Sequence, residues 1–584
     1  MLLSISRLTT MDLSTQTTKS AILPTAAFSK THHNYDDENP ENSEPHWENS
    51  ILNPKNRIES LSPLPNPLWR IDAVASNGTD FFIVPLFMEN FPYLRIGLSI
   101  PEHTKFCRRL QEDLMMSAVF HMRDKVRINN LPLTQHLLRI LQHWTLSNPN
   151  FVKIYQKLPW GSSLVAESIP NDVKCAKLTI TPSHHAEQQL LTVEDLQLFW
   201  GHELDLPEPV DIKDLRYEEQ LHDSVCAVWI SHKRYAFKAV TTHTKYLYNE
   251  LRQLLLITPH DNIISRPRHL IVKPSVFGGE LLVIGFTLDY HKLSCARDHL
   301  GFYRRQNISS LRREVNWCLQ ITSALIHLRE TRGTYYPDLR LDNILLKDNL
   351  DFVMVDFEQR GVWFEYAPPE VNAIDIMCTL QGDSSLDERI RSKYRSILES
   401  VIPNADILLR ANEYYYYTND GFNIPWLALT SKEREACEVF MLGRLMWCIF
   451  EAACAPHSGS YWVSYAHELD FDFPLYRATP PAIRNLIDWC TRGHRQCLSD
   501  VIFRQDGRVI LREHQGTNAS TPQEVQEAAY SFWEKEVQEA EEWVSERSRQ
   551  IQAGTWNENY YHRPNLRQVQ HELIKFNESG LGMD

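Results

Sequence analysis

Residues 334–370 read TYYPDLRLDNILLKDNLDFVMVDFEQRGVWFEYAPPE, and the rest of the chain is interpreted outward from this stretch. Asn343 follows Asp338 by five positions, and Asp356 ends an apolar run over 352–355. Phosphoryl transfer develops charge on phosphate oxygens that Mg²⁺ neutralises, so its site needs hard oxygen ligands and a carboxylate that accepts a hydroxyl proton. Asn343 and Asp356 supply such ligands, and Asp338 supplies such an acceptor. The stretch therefore predicts a magnesium-dependent phosphoryl-transfer site.

Three motifs in this stretch resemble conserved segments of the eukaryotic protein-kinase family. They are Asp338-Leu339 with Asn343, then Asp356-Phe357-Glu358, then Ala367-Pro368-Pro369-Glu370. The corresponding family patterns are D-L-x-x-x-N, D-F-G and A-P-E. A single match of this kind is common by chance, whereas three in the family's order, with an apolar strand between the first two, are not. The arrangement also resembles a divergent group of fungal protein-kinase-like proteins.

The resemblance implies an α+β chain with a bilobal protein-kinase-like fold, in which a small antiparallel β lobe with one helix precedes a large, mainly helical lobe. It implies ATP and Mg²⁺ as cofactors and a protein as substrate or binding partner. Asp338 would orient the attacking hydroxyl, while Asn343 and Asp356 would hold Mg²⁺. Arg340, two positions after Asp338, would balance charge on the transferred phosphate.

The segment over 217–257 resembles the family's small lobe, with three short β segments followed by an amphipathic helix. Lys238 matches the strand lysine that holds the α- and β-phosphates, and Glu250 matches the helix glutamate that pairs with it. The family joins its first two strands by a glycine-rich loop, because glycine lets backbone N–H groups approach phosphate closely. This chain has His222-Asp223-Ser224 there, without glycine and with an added carboxylate.

Two further positions depart from the family pattern. The usual His-Arg before the catalytic aspartate is Tyr336-Pro337, so phosphorylation of the following loop is not expected as a switch. Glu358 replaces the glycine of D-F-G, and we expect its carboxylate to point to solvent rather than to add to a metal site. These departures favour a protein that keeps the fold without the reaction.

The C-terminal part carries the remaining matches. Residues 438–451 resemble the buried helix that anchors the large lobe, with Glu438 in place of an aspartate and Gly443 at the family's glycine position. Arg563 resembles the late arginine that pairs with the glutamate of A-P-E. The resemblance therefore predicts an ion pair between Glu370 and Arg563, which lie far apart in the sequence.

The predicted domain organisation has four parts. Residues 1–60 are polar and are expected to be disordered, and residues 61–205 are expected to form an α+β accessory domain. The accessory domain includes predicted strands near 81–87 and 93–100 and predicted helices over 106–127 and 133–146. A linker over 207–215 enters the small lobe at 206–289, whose next strands are expected over 260–265 and 279–290. The large lobe covers 290–584, with insertions at about 371–431 and 498–555; the second insertion contains a predicted helix over 521–551 that starts with a capping box at Thr521.

Composition sets outer limits on the function. The chain has 584 residues, 43% of them hydrophobic, which is ordinary for globular cores. A formal charge of −14 argues against nucleic acid as a partner. No run approaches the roughly 18 apolar residues of a membrane span, so no membrane association is predicted. The 11 cysteines contain no C-x-x-C pair, which indicates reduced thiols and a cytoplasmic location, with the nucleus as the alternative.

Three functions are consistent with these residues. The first is an ATP-dependent protein kinase, with serine or threonine favoured over tyrosine as the acceptor. The second is a pseudokinase, a nucleotide-binding or scaffolding module without significant phosphoryl transfer. The third, a small-molecule phosphotransferase, is disfavoured by the A-P-P-E and Arg563-Pro564 segments, which are typical of protein kinases.

Overall fold

A computed structural model of the chain describes most of its residues, namely 23–28, 64–74, 80–87, 96–100, 132–170, 172–222, 224–240, 244–402, 421–456, 473–505, 508–514 and 520–580. The helix predicted over 106–127 and the carboxylate of Asp223 in the predicted phosphate-loop position lie outside these residues. Within them the chain is a mixed α+β protein, as predicted.

The strands fall into four sheets. Their bounds are β1 Trp69–Val74, β2 Asp80–Pro85, β3 Ile96–Ser99, β4 Ser163–Ala166, β5 Leu178–Thr181, β6 Glu208–Asp211, β7 Leu215–His222, β8 Val225–Ile230, β9 Lys233–Ala239, β10 His269–Pro274, β11 Leu281–Asp289, β12 Ile344–Leu346, β13 Phe352–Met354, β14 Ile502–Gln505 and β15 Arg508–Leu511.

The described part of the chain contains 14 α-helices. Their bounds are α1 Pro132–Ser147, α2 Phe151–Tyr155, α3 His184–Gln188, α4 Val193–Trp200, α5 Thr244–Leu256, α6 Ala296–Arg305, α7 Leu311–Arg332, α8 Pro369–Gly382, α9 Glu388–Val401, α10 Ile424–Leu427, α11 Ser431–Glu451, α12 Pro481–Cys490, α13 Pro522–Gln552 and α14 Leu566–Gly580. No described helix is long and apolar enough to cross a membrane.

The first sheet belongs to the predicted accessory region. Its five strands lie in the order β1-β2-β3-β4-β5, and α1 packs against β1. Trp69 is buried, and its indole Nε1 donates to Thr145 Oγ1 on α1 at 2.8 Å, which joins the sheet to the helix. The strands predicted near 81–87 and 93–100 and the helix predicted over 133–146 are confirmed as β2, β3 and α1.

The second sheet has six strands in the order β6-β10-β11-β9-β8-β7. The linker predicted over 207–215 is wrong, because Glu208–Asp211 forms β6 and pairs in parallel with β10. Its Pro209 misled the interpretation, yet proline is tolerated on an edge strand such as this one. The strand expected over 260–265 is also wrong. Ile263 makes only an isolated bridge to Met354, and the true strand is β10.

Residues that precede the predicted boundary at 205/206 pack on the second sheet. Val283 of β11 donates its N–H to Leu191 O at 2.8 Å, and Thr192 bridges Leu282. Leu196 on α4 is fully buried in the same core as that sheet. Residues 191–196 therefore pack with the six-stranded sheet.

The helical part is built around α11, which is buried along almost all of its length. Thr430 and Glu433 form a reciprocal capping box at its first turn, which satisfies backbone N–H groups that lack helical partners. Gly443 faces α12 so closely that an added Cβ would lie 2.7 Å from both Cys490 Cβ and Thr491 Cγ2. The buried helix predicted over 438–451 thus lies within α11, and its glycine serves a close helix contact.

The two predicted insertions contribute further helices to this part. The first contains α8, α9 and α10, and the second contains the β14–β15 hairpin and α13. The capping box predicted at Thr521 is confirmed. The buried Arg547 of α13 makes a bidentate pair with Glu433 at 2.7 Å for both bonds, which fixes the inserted helix to the start of α11.

The N-terminal region differs from the prediction at one point. Disorder was expected throughout 1–60, but Pro24–Phe28 forms a short 3₁₀ helix whose Pro24, Thr25 and Ala26 are buried. The segment contacts α8 and α13. For these residues the prediction of disorder is wrong, because an uncharged run of small and apolar residues packs against two helices.

Candidate functional site

Lys238 lies near the centre of the six-stranded sheet. It lies on β9, opposite Val225 of β8 and Phe286 of β11. The neighbouring Gly285 allows β11 to approach this closely, because a Cβ there would lie 2.3 Å from the Lys238 carbonyl oxygen. The Lys238 side chain is only 6% exposed, so its ammonium needs anionic partners inside the protein.

Three carboxylates surround the Lys238 ammonium. Its Nζ lies 2.5 Å from Glu250 Oε2 on α5 and 2.6 Å from Asp356 Oδ1, just past β13. It also lies 2.9 Å from Glu358 Oε1. The side chains of Glu250 and Glu358 are 1% and 8% exposed, whereas that of Asp356 is 30% exposed. Asp356 is thus the member of this cluster that faces solvent.

The electrostatics of the cluster favour a charged Lys238. Burial alone would lower the pKa of Lys238, but Asp356, Glu250 and Glu358 together raise it well above its usual value. Burial raises the pKa of Glu250 to about 7, with Lys238 opposing the shift. For Asp356, burial is outweighed by Lys238, and its pKa is lowered. Within the cluster, Lys238 is therefore held as a cation and Asp356 as an anion, while the Glu250 carboxyl has a pKa of about 7.

The expectation that Glu358 points to solvent is wrong. Its carboxylate contacts Lys238 and also pairs with Arg360, and the residue is buried. The backbone explains the direction: Asp356 and Gln359 adopt positive φ values of 66° and 54°, and this reversal turns the side chain between them inward. Sequence reasoning treated Glu358 by its type alone and had no access to these dihedral angles.

Helix α5 fixes the segment after β13 through two adjacent side chains. Glu250 Oε1 accepts from Phe357 N–H at 3.1 Å, and Asn249 Nδ2 donates to Glu358 O at 3.2 Å. Gln359 in turn donates from Nε2 to Tyr335 O at 3.1 Å. Sequence reasoning missed Asn249 and Gln359. Two amides in the sequence could have indicated these contacts. Asn249 lies next to Glu250 on α5, and Gln359 directly follows Asp356-Phe357-Glu358.

The second group of predicted residues lies on the loop before β12. Asn343 Nδ2 donates to Asp338 Oδ2 at 2.8 Å, and Arg340 Nε lies 3.2 Å from Asp338 Oδ1. Arg340 also lies 3.7 Å from Asp342 and places its guanidinium over the Trp363 ring at 4.6 Å. The structure therefore brings Asp338, Arg340 and Asn343 into one group, joined by a hydrogen bond from Asn343 and an ion pair with Arg340. Trp363 is a further contact that sequence reasoning missed.

The Asp338 carboxyl is tuned toward neutral pH. Burial raises its pKa, Arg340 and the Asn343 hydrogen bond oppose the shift, and Asp356 and Asp342 add to it; the result is about 6. A proton acceptor is most effective when its pKa lies near the working pH. This environment is the kind in which general bases are found.

A small antiparallel ribbon joins the two groups. Ile344 of β12 pairs with Met354 of β13, so Asn343 and Val355 lie at the same end of the ribbon, and Val355 N–H donates to Asn343 O at 3.0 Å. The Tyr336 hydroxyl donates to Val355 O. Asp356 therefore lies next to the loop that carries Asp338, and its carboxylate also contacts Lys238.

A buried glutamate holds the start of the loop that carries Asp338. Glu438 of α11 accepts from Tyr336 N–H at 2.6 Å and pairs with Arg329 of α7. The Tyr336 ring packs edge-on against Phe357 with centroids 5.1 Å apart. Tyr336 therefore connects this loop with the Asp356 segment.

The donor set near Lys238 suits a hard divalent cation. Ligand oxygens of Glu250, Asp356 and Glu358 all lie within 4.8 Å of one another. Carboxylate oxygens are the ligands that Mg²⁺ prefers. The predicted pair of Asn343 and Asp356 is adjacent through the ribbon; since Asn343 Nδ2 donates to Asp338, a cation at this pair would bind the Asn343 carbonyl Oδ1. A cation among the three carboxylates would share them with Lys238.

Comparison with known proteins adds no assignment. No family model matches the chain, and no curated protein matches its sequence.

Proposed function

We propose that this chain is an ATP-dependent protein kinase with a bilobal protein-kinase-like fold, which transfers the γ-phosphate of ATP to a protein hydroxyl with Mg²⁺ as cofactor. Serine or threonine is the favoured acceptor. One observation carries the proposal: the buried Lys238 on β9 pairs with Glu250 on α5 and with Asp356 after β13, three positions from distant parts of the sequence.

The proposed roles follow from the charge and the position of each group. Lys238 would hold nucleotide phosphates, and Glu250 would keep its ammonium in place. Asp356, the solvent-facing member, would hold Mg²⁺ together with Asn343. When bound, Mg²⁺ neutralises charge on the phosphate oxygens.

The acceptor side of the proposed site consists of Asp338 and Arg340. Asp338, whose carboxyl has a pKa of about 6, would accept the proton of the attacking hydroxyl. Arg340, held against Asp338 and the Trp363 ring, would balance charge on the transferred group. The two side chains already contact each other, so the acceptor side is arranged before a substrate binds.

The bilobal arrangement is supported by the placement of this site. Lys238 and Glu250 belong to the six-stranded sheet and its helix α5, whereas Asp338 and Asp356 belong to the helical part. A nucleotide bound between Lys238 and Asp338 would therefore lie between the two. The protein partner and the cytoplasmic location, with the nucleus as alternative, stay predictions from the sequence.

A second candidate is supported by the position of Glu358. Its carboxylate contacts the Lys238 ammonium, which is the group that a phosphate oxygen of the nucleotide would bind. A nucleotide must displace or outcompete this contact. If it cannot, the chain is a pseudokinase that uses the same fold as a binding or scaffolding module.

Transfer of labelled γ-phosphate from Mg-ATP to a degenerate Ser/Thr peptide library separates these candidates. The proposal expects transfer by the wild type and a loss of at least about 100-fold in Asp338→Asn, in line with the contribution of a general base. Asp348→Asn, an exposed aspartate in the following turn, is the matched control and should keep wild-type transfer. ATP binding without transfer would select the pseudokinase, and the absence of both would reject the site.

A further inference from the structure

The segment Pro24–Phe28 lies on a surface formed by α8, α9 and α13, which we call the N-terminal groove. The segment contacts α8 and α13, and the Phe28 ring meets the Tyr394 ring of α9 edge-on, with centroids 6.2 Å apart. Thr25 and Ala26 are 8% and 7% exposed. Ala27 and Phe28 are half-buried against the main core.

The groove presents a fixed ring to the segment. The Tyr394 hydroxyl donates to Glu541 Oε1 on α13 at 2.6 Å, and Lys393 pairs with the same carboxylate at 2.7 Å. These bonds tie α9 to α13 and hold the aromatic surface on which Phe28 rests. Helices α9 and α13 lie in the inserted parts of the chain, and so does α8 apart from its first two residues.

A five-residue 3₁₀ turn does not order itself. Short helices of this kind, even with bonds such as that from Ala26 N–H to Leu23 O at 2.9 Å, do not offset the entropy of fixing the backbone. Its order must therefore come from burial against the groove. The segment carries no charge, which suits a surface that desolvates it.

We propose that the N-terminal groove is a peptide-docking site and that the chain's own Pro24–Phe28 is its resident ligand, bound in cis. The ligand class is a short uncharged peptide with a proline, small residues and a terminal aromatic residue. A tethered ligand acts at an effective concentration of about millimolar, so weak contacts suffice to keep the groove occupied. Removing the ligand opens the groove to a peptide of the same chemistry.

Amide hydrogen exchange on the full chain tests the resident contact. Ala26→Asp places a charge in the buried position, and Leu23→Asp places the same charge on a side chain that is 40% exposed. We expect amides within 24–28 to exchange at least tenfold faster in Ala26→Asp than in the wild type, and Leu23→Asp to resemble the wild type. Equal exchange in the two variants, or random-coil exchange of this segment in the wild type, would overturn the proposal.

A peptide added in trans tests the groove itself. A fluorescent peptide with the sequence of residues 21–30, AILPTAAFSK, should bind the Ala26→Asp chain and bind the wild-type chain at least tenfold more weakly, because the wild-type groove is filled. The same peptide with aspartate at the position of Ala26 should bind neither chain. Equal binding to both chains, or no binding to Ala26→Asp at millimolar peptide, would reduce the contact to local packing and reject a docking site.

Discussion

Glu370 and Arg563 form a bidentate ion pair in the interior of the helical part, although 193 positions separate them in the sequence. Arg563 Nη1 lies 2.8 Å from Glu370 Oε1, and Nη2 lies 3.1 Å from Oε2. The arginine side chain is fully buried, and it also donates to Ala436 O at 3.0 Å. The pair was predicted from two short motifs, and the structure confirms that the two residues are in contact.

Breaking this pair should destabilise the fold strongly. Glu370→Gln leaves a buried guanidinium without its counter-ion, and we expect it to lower the free energy of unfolding by about 3–5 kcal/mol. Glu330→Gln is the matched control, because Glu330 pairs with Arg567 at 2.5 Å on the surface, with both side chains more than half exposed. That change should be within about 1 kcal/mol of the wild type. Urea unfolding followed by circular dichroism measures both, and similar losses would contradict the account.

The close approach of α11 and α12 depends on Gly443. Gly443→Ala would place a methyl group 2.7 Å from side-chain atoms of Cys490 and Thr491, so we expect a loss of about 1–3 kcal/mol from overpacking. Gly382 is also helical but has nothing within 4 Å of an added Cβ. Gly382→Ala should therefore be neutral or stabilising by up to about 1 kcal/mol. Thermal unfolding of the two variants should give shifts of opposite sign or clearly different size.

The Asp338 carboxyl should make stability depend on pH. Its pKa is about 6 in the folded chain against an ordinary 3.8, so the folded chain holds a proton that the unfolded chain has already released. Its contribution to the free energy of unfolding is full below about pH 4 and is lost as pH rises through about 6. Asp338→Asn cannot titrate, so its stability relative to the wild type should rise over this range. Parallel pH profiles of the two proteins would contradict the raised pKa.

Glu358 should compete with nucleotide for Lys238. Glu358→Gln removes one of three carboxylates from the ammonium, and we expect ATP to bind about tenfold more tightly, which corresponds to ~1.4 kcal/mol. Glu219→Gln changes an exposed carboxylate on β7 and should leave the affinity unaltered. Titrations with and without Mg²⁺ discriminate further. If Glu358→Gln bound ATP more weakly than the wild type only when Mg²⁺ is present, Glu358 would serve the metal instead of blocking the lysine.

The sequence predicted those features that local patterns specify. Capping at Thr521 and the periodic helices follow from spacing and side-chain chemistry, whereas the contact of Lys238 with Glu250 was implied by the resemblance to protein kinases; the structure contains both the capping box and this contact. The wrong predictions concern features that depend on tertiary contacts or on backbone dihedral angles. Pro209 looked like a linker residue because edge-strand pairing is a tertiary fact, and Glu358 looked solvent-facing because the positive φ of Asp356 is invisible in a sequence. The docking of Pro24–Phe28 depends on helices hundreds of positions away.

Calorimetric titration of the full chain with Mg-ATP tests the central claim most directly. Lys238→Met removes the buried ammonium that would hold the phosphates, and Lys233→Met removes an ammonium on the same strand whose side chain is 63% exposed. The account predicts saturable binding by the wild type, a loss of at least about tenfold in Lys238→Met and unchanged binding in Lys233→Met. No saturable binding by the wild type, or equal affinities for the two variants, would contradict a nucleotide site at Lys238.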